Sequence, residues 1–387
     1  MSYAPDIYEV PWNSTRWEAA IFARPDIAFF GGPGRWVLYR PTRTIVRERA
    51  VDDQRVADLL RGAGADRCDV PNAEIARALD LSLFDAPADA VVRLVRDIND
   101  AVPGSASLEH VLMPGPHTVH GDGEPEPAED PGGWESGDAG AGLTVLVLDT
   151  GFAQPLPFDL TAQPSDAEVV DEDGDKLRDP AAGHGTHVAG IVARLAPCAT
   201  IVSHRLLKSP VGEASDLDVA GALLDHGGAD IVNCSFGEQA LDDQAPLALA
   251  DALARLPEAT IVVAAAGNGG VVTPNWPAAF ERVIAVGAVG RPAGVETWLQ
   301  TDFSNHGDWV DCCAPGVDVA STFLTLPDEG YHGFACWTGT SMSAPTVSGA
   351  IAALATRPGM DLASARAKVL GGDPIGDIGA LLDPGKL

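Results

Sequence analysis

Apolar runs alternate with amphipathic segments through the last two thirds of this chain. Short continuous apolar runs predict buried strands over 143–148, 200–204, 230–235, 260–265 and 283–289. Apolar residues at helical spacing predict helices over 187–195, 217–225, 246–256, 343–356 and 363–370. Continuous apolar strands that alternate with helices predict an α/β fold, in which helices cover both faces of a largely parallel sheet.

The first 118 residues have a more mixed pattern. An apolar run at 36–39 and another at 108–113 predict strands, and apolar residues at helical spacing predict helices over 53–60 and 91–98. We therefore expect a small α+β domain over residues 1–118, ahead of the α/β domain.

The segment that joins the two domains has a distinct composition. Residues 121–133 are rich in Pro, Gly and acidic residues and contain almost nothing to bury, and no Lys or Arg occurs between Arg96 and Lys176. This composition is typical of a solvated linker. We place an acidic Pro/Gly-rich linker at 119–141 and the second domain at 142–387.

Length and hydrophobic content fit a globular protein. The 387 residues are 46% hydrophobic, which is enough to bury a sizeable core. No apolar run approaches the ~20 residues of a membrane-spanning helix, so we expect no membrane attachment. The first residues lack a basic region followed by an apolar one. We expect a cytoplasmic protein with reduced thiols at its six cysteines; the alternative is export by an unrecognised route.

Negative charge is concentrated in the second part of the chain. Residues 1–120 carry 13 Arg and 17 acidic residues, a net charge of −4, whereas residues 121–387 carry a net charge of −26. Such a field repels nucleic acid and anionic membranes and favours cationic peptide partners. Solubility is an equally good explanation of the charge.

Three short motifs carry the candidate chemistry. Ser341 lies in the stretch Gly339-Thr340-Ser341-Met342, at a turn where a helix of small residues begins. A serine hydroxyl becomes a nucleophile only when a base takes its proton and a third group orients that base. His184, in Gly183-His184-Gly185-Thr186-His187, and Asp149, after an apolar run, supply both. Each residue alone would be explained by a cap or a turn.

The order Asp, His, Ser and the three local motifs resemble those of the subtilisin-like serine peptidases, the subtilases, over residues 142 to 372. The resemblance implies a subtilisin-like three-layer fold and a serine endopeptidase that forms an acyl-enzyme. Ser341 would be the nucleophile, His184 the base and Asp149 the orienting carboxylate.

His184 and His187 cannot be told apart by spacing, since residues three apart lie on nearly the same helix face. In the subtilase signature the first histidine is the base, which assigns His184 to catalysis and His187 to the core. A zinc site on this pair is not expected, because the helical zinc motif has four-residue spacing and an intervening Glu.

The resemblance also implies further site residues. Asn268, in Ala264-Ala265-Ala266-Gly267-Asn268, matches the donor to the tetrahedral oxyanion. Extended substrate would pair with a strand edge, and a pocket would take the residue before the scissile bond. The residues implied are Ser235, Phe236 and Gly237 at the edge, Ala265, Ala266 and Gly267 in a pocket wall, and Asn275 near the pocket floor, where it would make the pocket narrower and more polar.

The order of elements in residues 1–118 resembles, at the level of topology, the subtilase prodomain, whose tail lies in the active-site cleft. Peptides and unfolded proteins are then the expected substrates, and the chain's own N-terminal domain is an expected partner. The alternatives are an unrelated domain that stays attached, and a catalytically silent subtilase-like binding or regulatory module whose cleft that domain occupies.

Residues 171–175 alternate carboxylates around a glycine, as in cation-binding loops. They lack the long loop and closing bidentate Glu of an EF-hand, so we expect an ordinary acidic turn and no metal site. Structural calcium is the alternative. We expect no requirement for an organic cofactor.

Overall fold

The computed structural model describes residues 7–8, 20–21, 23–32, 35–114, 123–134 and 137–386. In the first third of the chain its strands are β1 Ile7–Tyr8, β2 Ala28–Gly32, β3 Arg35–Arg47, β4 Asp66–Arg67, β5 Leu81–Asp85, β6 Ala106–Leu112 and β7 Glu126–Pro127. The helices of this part are α1 Glu48–Val51, α2 Gln54–Gly62, α3 Pro71–Ala78 and α4 Val91–Ala101.

The remaining strands are β8 Thr144–Asp149, β9 Thr200–Arg205, β10 Ala214–Ser215, β11 Ile231–Cys234, β12 Ile261–Ala265, β13 Val283–Gly290, β14 Leu299–Thr301, β15 Cys312–Pro315, β16 Val319–Leu326, β17 Tyr331–Trp337 and β18 Ala380–Leu381. The helices are α5 His184–Leu195, α6 Asp216–Asp225, α7 Leu247–Arg255, α8 Thr340–Ala355 and α9 Leu362–Leu370. Each strand and helix predicted for this part is present, with ends that differ by up to three residues. Among the described residues, no helix is long and apolar enough to cross a lipid bilayer.

A largely parallel sheet forms the middle layer of the second part. Strands β9, β8, β11, β12 and β13 lie side by side in that order and run parallel. Successive side chains of a strand point to opposite faces. Leu146 and Leu148 of β8 therefore join the core under α6 and α7, whereas Val145 and Val147 join the core under α5, α8 and α9. The three-layer α/β fold predicted from the continuous apolar strands is confirmed.

Parallel strands bring their carboxyl ends to one edge of the sheet, which is where α/β proteins place their sites. Strand β8 ends at Asp149, β11 ends one residue before Ser235, and β12 ends at Ala265. The motifs identified in the sequence thus converge at this edge.

The first part of the chain forms a separate antiparallel sheet. Its strands follow the order β10-β6-β3-β5-β4, with β2 also paired to β3. Helices α2 and α4 pack on one face, and the other face packs against α6 of the second part. Strand β10 belongs to the second part but pairs with β6, with Ala214 opposite Leu112. The boundaries at residues 118 and 142 stay a prediction, while the two parts share a sheet and a core.

Residues 123–134 of the predicted linker are exposed or half-buried except for Pro125, and they also make ordered contacts with the second part. Strand β7 pairs with β17, the Tyr331 hydroxyl donates to the Pro125 carbonyl at 2.6 Å, and Arg178 binds Glu124 at 2.7 Å. Trp134 stacks on Phe158 and Phe334. An edge strand offers unpaired backbone groups to any chain that passes it, and composition does not reveal such a neighbour. Residues 115–122 and 135–136 lie outside the described residues.

Candidate active site

Asp149 is the last residue of β8 and is fully buried. Its Oδ1 accepts a hydrogen bond from the Thr150 backbone N–H at 2.8 Å and lies 2.7 Å from His184 Nδ1. A carboxylate without water around it interacts strongly with a proton donor at this distance. The structure therefore brings together two of the three residues predicted for the triad.

Two glycines flank His184 at close contacts. His184 begins helix α5, and the preceding Gly183 has φ 90°, where a Cβ would lie 2.3 Å from the Phe323 ring. A Cβ on Gly185 would lie 2.3 Å from the Gly151 carbonyl oxygen and 3.1 Å from the Asp149 Cβ. Gly185 therefore allows the His184 loop to approach the Asp149 loop, and Gly183 allows it to approach Phe323.

The Asp149 contact also sets the tautomer of His184. A carboxylate accepts a proton donor, so Nδ1 carries the hydrogen and Nε2 is left as the basic nitrogen. The ring of Trp337 packs against the imidazole edge to face, with centroids 5.3 Å apart. His184 is thus oriented by a carboxylate and held by an aromatic ring, as a general base requires.

His187 occupies a different environment. It is completely buried, and its Nε2 lies 3.2 Å from the Ala335 carbonyl oxygen, to which it donates. Burial, reinforced by the neighbouring His184, lowers the pKa of His187 to about 3. A neutral histidine bound to a backbone carbonyl is a packing residue, so the geometry separates two histidines that spacing could not.

Ser341 is the second residue of helix α8 and is buried. Its Oγ donates to the Ser235 carbonyl at 3.0 Å, and the Ser235 hydroxyl donates to the Ser341 carbonyl at 2.8 Å. Helices α5 and α8 pack against each other, and Met342 of α8 shares a hydrophobic cluster with Trp337, the ring that packs on His184. Backbone N–H groups in the first turn of a helix have no intrahelical acceptor, so the Ser341 N–H can serve an incoming anion.

Asn268 lies beside the nucleophile. Its Oδ1 accepts hydrogen bonds from the Thr340 backbone N–H at 2.9 Å and from the Thr340 hydroxyl at 2.8 Å. Because a backbone N–H only donates, the carboxamide oxygen must face Thr340, and the Nδ2 donor occupies the opposite end of the group. This orientation suits a donor to an oxyanion formed at Ser341.

The predicted substrate edge follows β11. Gly237 N–H donates to the Met113 carbonyl at 3.1 Å, and Met113 N–H lies 3.4 Å from the Gly237 carbonyl, an antiparallel pair. The side chain of Phe236 belongs to the core, so this residue offers only its main chain. The edge predicted to bind extended peptide is therefore paired with the residue that follows β6 of the N-terminal sheet.

The predicted pocket has Asn275 between its two sides. A Cβ on Gly237 would lie 2.2 Å from Asn275 Nδ2, and one on Gly267 would lie 3.1 Å from the same atom. Ala265 and Ala266 are buried behind Gly267. The Asn275 carboxamide thus spans the space between the two strand ends, and its buried Oδ1 has no hydrogen-bond partner among the described residues.

Glu168 is a site residue that the sequence analysis missed. Its Oε2 accepts from the Thr150 hydroxyl at 3.1 Å, and that hydroxyl accepts from the Gly185 N–H at 2.9 Å. Loss of hydration, and then the charge of Asp149, raise the pKa of Glu168 to about 8. Glu168 therefore keeps its proton at neutral pH, and it is linked through Thr150 to both catalytic loops. No motif marks it in the sequence.

The acidic loop also has a defined shape. Carboxylate oxygens of Asp171, Asp173 and Asp179 lie within 4.8 Å of one another. Backbone N–H groups of the same loop already donate to them, including Gly174 and Lys176 to Asp171. Oxygen atoms of this kind suit calcium, so the acidic turn and the calcium alternative both stay predictions.

Comparison with known proteins places the chain in a family. The chain is 35% identical over 236 residues to a thermophilic serine proteinase of Bacillus sp. (strain AK1), covering 58% of this chain and 55% of that one. It is 32% identical to Subtilisin Savinase of Lederbergia lenta, covering 57% and 79%, and 30% identical to thermitase of Thermoactinomyces vulgaris, covering 63% and 85%. The match thus spans little more than half of the first of these relatives.

A solved structure is also similar in fold. Fervidolysin from Fervidobacterium pennivorans, a keratinolytic enzyme related to subtilisin, aligns with a TM-score of 0.59 at 18% identity and covers 98% of this chain and 62% of that one. This likeness includes the N-terminal sheet and concerns the fold alone. The sequence model of the Subtilase family matches residues 140–370, which contain the three motifs and most of the parallel sheet, and the chain therefore belongs to the subtilase family.

Proposed function

We propose that this protein is a serine endopeptidase that works through an acyl-enzyme. The observation that carries the proposal is the 2.7 Å contact between Asp149 Oδ1 and His184 Nδ1, at the edge of the sheet where Ser341 begins its helix. An isolated buried Asp–His pair could be structural, but here Asn268 is also held next to the nucleophile. Membership of a family that includes named proteinases supports the same conclusion.

The catalytic cycle follows from the arrangement. The Ser341 hydroxyl turns from the Ser235 carbonyl towards His184 Nε2, which takes its proton as Oγ attacks the peptide carbonyl. Asp149 stabilises the imidazolium, and Asn268 Nδ2 with the Ser341 N–H binds the oxyanion. The imidazolium then gives its proton to the leaving amine. Water attacks the acyl-enzyme by the same path and releases the acid. Every group in this cycle belongs to the chain, so no organic cofactor is needed.

The substrates we propose are extended or unfolded peptide segments. The Ser235–Gly237 edge binds through its main chain, which is independent of the substrate's sequence. Selectivity then comes from the pocket that Asn275 narrows, and a small or polar residue before the scissile bond fits this pocket better than a large aromatic one. A peptide-library cleavage profile, read at that residue, tests the assignment.

A fluorophosphonate probe tests the proposed activity. We expect the full-length protein to be labelled at Ser341, and Ser341→Ala to abolish the labelling. Ser343→Ala is a matched control, because this serine lies two residues away and its Oγ bonds to the Ala314 carbonyl. An absence of Ser341-dependent labelling, in intact protein and in protein proteolysed between the two parts, would remove the case for an enzyme.

We further propose that the N-terminal domain occupies the cleft. The Met113–Gly237 pair supports this, since Met113 takes the place at the edge that a substrate residue would use. Arginines of the N-terminal part also meet acidic residues of the second part within 3.5 Å: Arg24 and Arg40 at Glu213, Arg35 at Asp243, Arg47 at Asp251, and Arg96 at Asp242. Individual arginines of the N-terminal part thus place positive charge against the acidic second part.

The Met113–Gly237 pair also favours the second candidate function, a catalytically silent module whose cleft stays filled. Proteolytic cleavage of the chain between residues 114 and 141 distinguishes the silent module from a peptidase with a prodomain. If the domain is a prodomain, active preparations contain this cut and Ser341→Ala preparations do not. An intact chain at full activity would exclude inhibition by the domain, and an intact chain that never labels would favour the silent module.

A further inference from the structure

Three ionisable side chains are buried where the N-terminal sheet meets the second part. Glu109 and His110 lie on β6, and Asp216 begins helix α6. Their exposed fractions are 5%, 2% and 0%. Buried ionisable groups are rare unless they are paired with opposite charge. None of the three belongs to the catalytic machinery. Glu109 and His110 lie four and three residues before Met113, and Asp216 lies on the other side of the interface.

His110 bonds to the second part through both ring nitrogens. Leu241 N–H donates to His110 Nε2 at 3.4 Å, so Nε2 is the acceptor in this tautomer. Nδ1 then carries a hydrogen, which it donates to Asp216 Oδ2 at 3.3 Å. Asp216 therefore receives a hydrogen bond from His110 across the interface.

Glu109 faces further acidic and polar groups. Asn72 of α3 donates to Glu109 Oε1 at 3.2 Å and to Ser215 Oγ at 3.1 Å. Ser215 in turn donates to Asp218 Oδ2 at 2.8 Å. Cys68, which is bound by Arg43, also lies near enough to interact with the Glu109 charge.

Loss of hydration, and then the charge of Asp216, raise the pKa of Glu109 to about 7. Burial raises the pKa of Asp216 as well. Both carboxyl groups are therefore more stable with a proton while the interface is closed. Opening the interface returns both groups to water, where they ionise readily.

We propose that Glu109, Asp216 and the side chains bonded to them form a pH-dependent latch, which holds the N-terminal domain in the cleft under acidic conditions and weakens that hold towards neutral pH. The latch rests on the proposed role of this domain as the occupant of the cleft. It acts through β6, because the Met113–Gly237 pair continues directly from that strand.

The direction follows from proton linkage. Below pH about 4.5, Glu109 is protonated whether the interface is open or closed, and docking is unimpeded. Between pH about 4.5 and 7 the open form loses its proton while the closed form keeps it, so the docking equilibrium weakens by up to tenfold per pH unit. Glu109 alone can weaken docking by at most about 300-fold, because its pKa rises from an ordinary value of 4.5 to about 7 when the interface closes. Above pH about 7 the docking equilibrium no longer changes with pH.

Hydrogen exchange in the full-length Ser341→Ala protein measures the latch without self-cleavage. The probe is the Gly237 amide, whose hydrogen bond to the Met113 carbonyl crosses the interface. We expect its protection factor, corrected for the intrinsic pH dependence of exchange, to fall by about 10- to 300-fold between pH 4.5 and 7.5. Amides of β8 serve as the internal control and should not change.

The variant Glu109→Gln keeps an acceptor for Asn72 but cannot ionise. We expect at least a tenfold smaller fall in Gly237 protection, and a smaller fall again when Asp216→Asn is added. An equal fall in Glu109→Gln would overturn the assignment to Glu109. If the variants do not fold, the parent protein still tests the latch. A Gly237 protection factor that changes with pH only as much as those of the β8 amides would exclude it. Since this readout needs no catalysis, a separate failure of Ser341 labelling would contradict the peptidase and not the latch.

Discussion

Thr340, the residue before the nucleophile, holds the Asn268 carboxamide by two hydrogen bonds, from its backbone N–H at 2.9 Å and from its hydroxyl at 2.8 Å. Thr340 thus positions Asn268, the proposed oxyanion donor, directly before Ser341, the proposed nucleophile. A donor fixed before the reaction costs no reorganisation when charge develops, which is why such groups contribute strongly to catalysis.

Replacing Asn268 by Ala should therefore lower kcat by about 10²- to 10³-fold with little change in KM, because the lost hydrogen bond forms fully only in the transition state. Steady-state kinetics on a chromogenic peptide measure this. Thr340→Ser is the control, since it keeps both donors to Asn268 and should retain most of the activity. A kcat for Asn268→Ala within threefold of the parent protein would show that Asn268 is not the donor.

The two histidines should respond differently to the same substitution. His184→Gln removes the base and should reduce kcat by about 10⁴-fold or more. His187→Gln can still donate to the Ala335 carbonyl, and we expect it to lower the melting temperature while kcat stays within about fivefold. Kinetics and thermal unfolding of both variants test the assignment. A comparable loss of kcat in His187→Gln would contradict it.

Removing the Asn275 side chain should widen the pocket. We expect Asn275→Gly to raise kcat/KM by at least about tenfold for peptides with Phe before the scissile bond, a typical effect of a change in pocket volume. Peptides with Ser at that position should gain nothing. Asn275→Asp has nearly the same size and should still discriminate against Phe. If Asn275→Gly leaves the Phe-to-Ser preference unchanged, Asn275 does not line this pocket.

Glu168 should make the folded state less stable as the pH rises. Its pKa is raised from an ordinary value of 4.5 to about 8, so its stabilising effect is complete below pH about 4.5 and is lost as the pH rises through 8. In a Ser341→Ala background, we expect the melting temperature to fall less between pH 5 and 8.5 in Glu168→Gln than in its parent. The exposed Glu258→Gln is the control and should behave as the parent does. Identical losses in Glu168→Gln and its parent would mean that Glu168 ionises normally.

The elements that the sequence predicted are those with a strong periodic pattern. Strand β8 is a continuous apolar run, and α8 is a long row of small apolar residues. Helix α3 has only eight residues, and strand β17 includes exposed His332 and half-buried Gly333, so neither has a pattern that stands out. Two-residue strands such as β10 exist only because a partner far along the chain pairs with them.

The candidate catalytic residues could be found in the sequence because the chemistry imposes local requirements on it. Gly185 must lack a side chain for the His184 loop to approach Asp149, and Gly183 must lack one beside Phe323, and both needs are visible as a motif. Glu168 had no such motif, because the groups that bond to it, in Thr150, Phe152 and Gly183, lie elsewhere along the chain.

By itself, the sequence determined the fold class, the candidates for nucleophile, base and carboxylate, and the concentration of negative charge in the second part. These follow from periodicity and from short motifs, which depend on neighbouring residues. Only the tertiary structure decided that residues 123–134 contact β17 and Arg178, that Met113 pairs with Gly237, and that Glu109 and Asp216 are both buried at the interface. Burial, strand pairing and pKa depend on tertiary contacts between segments that are distant in sequence, and no local sequence pattern encodes those contacts.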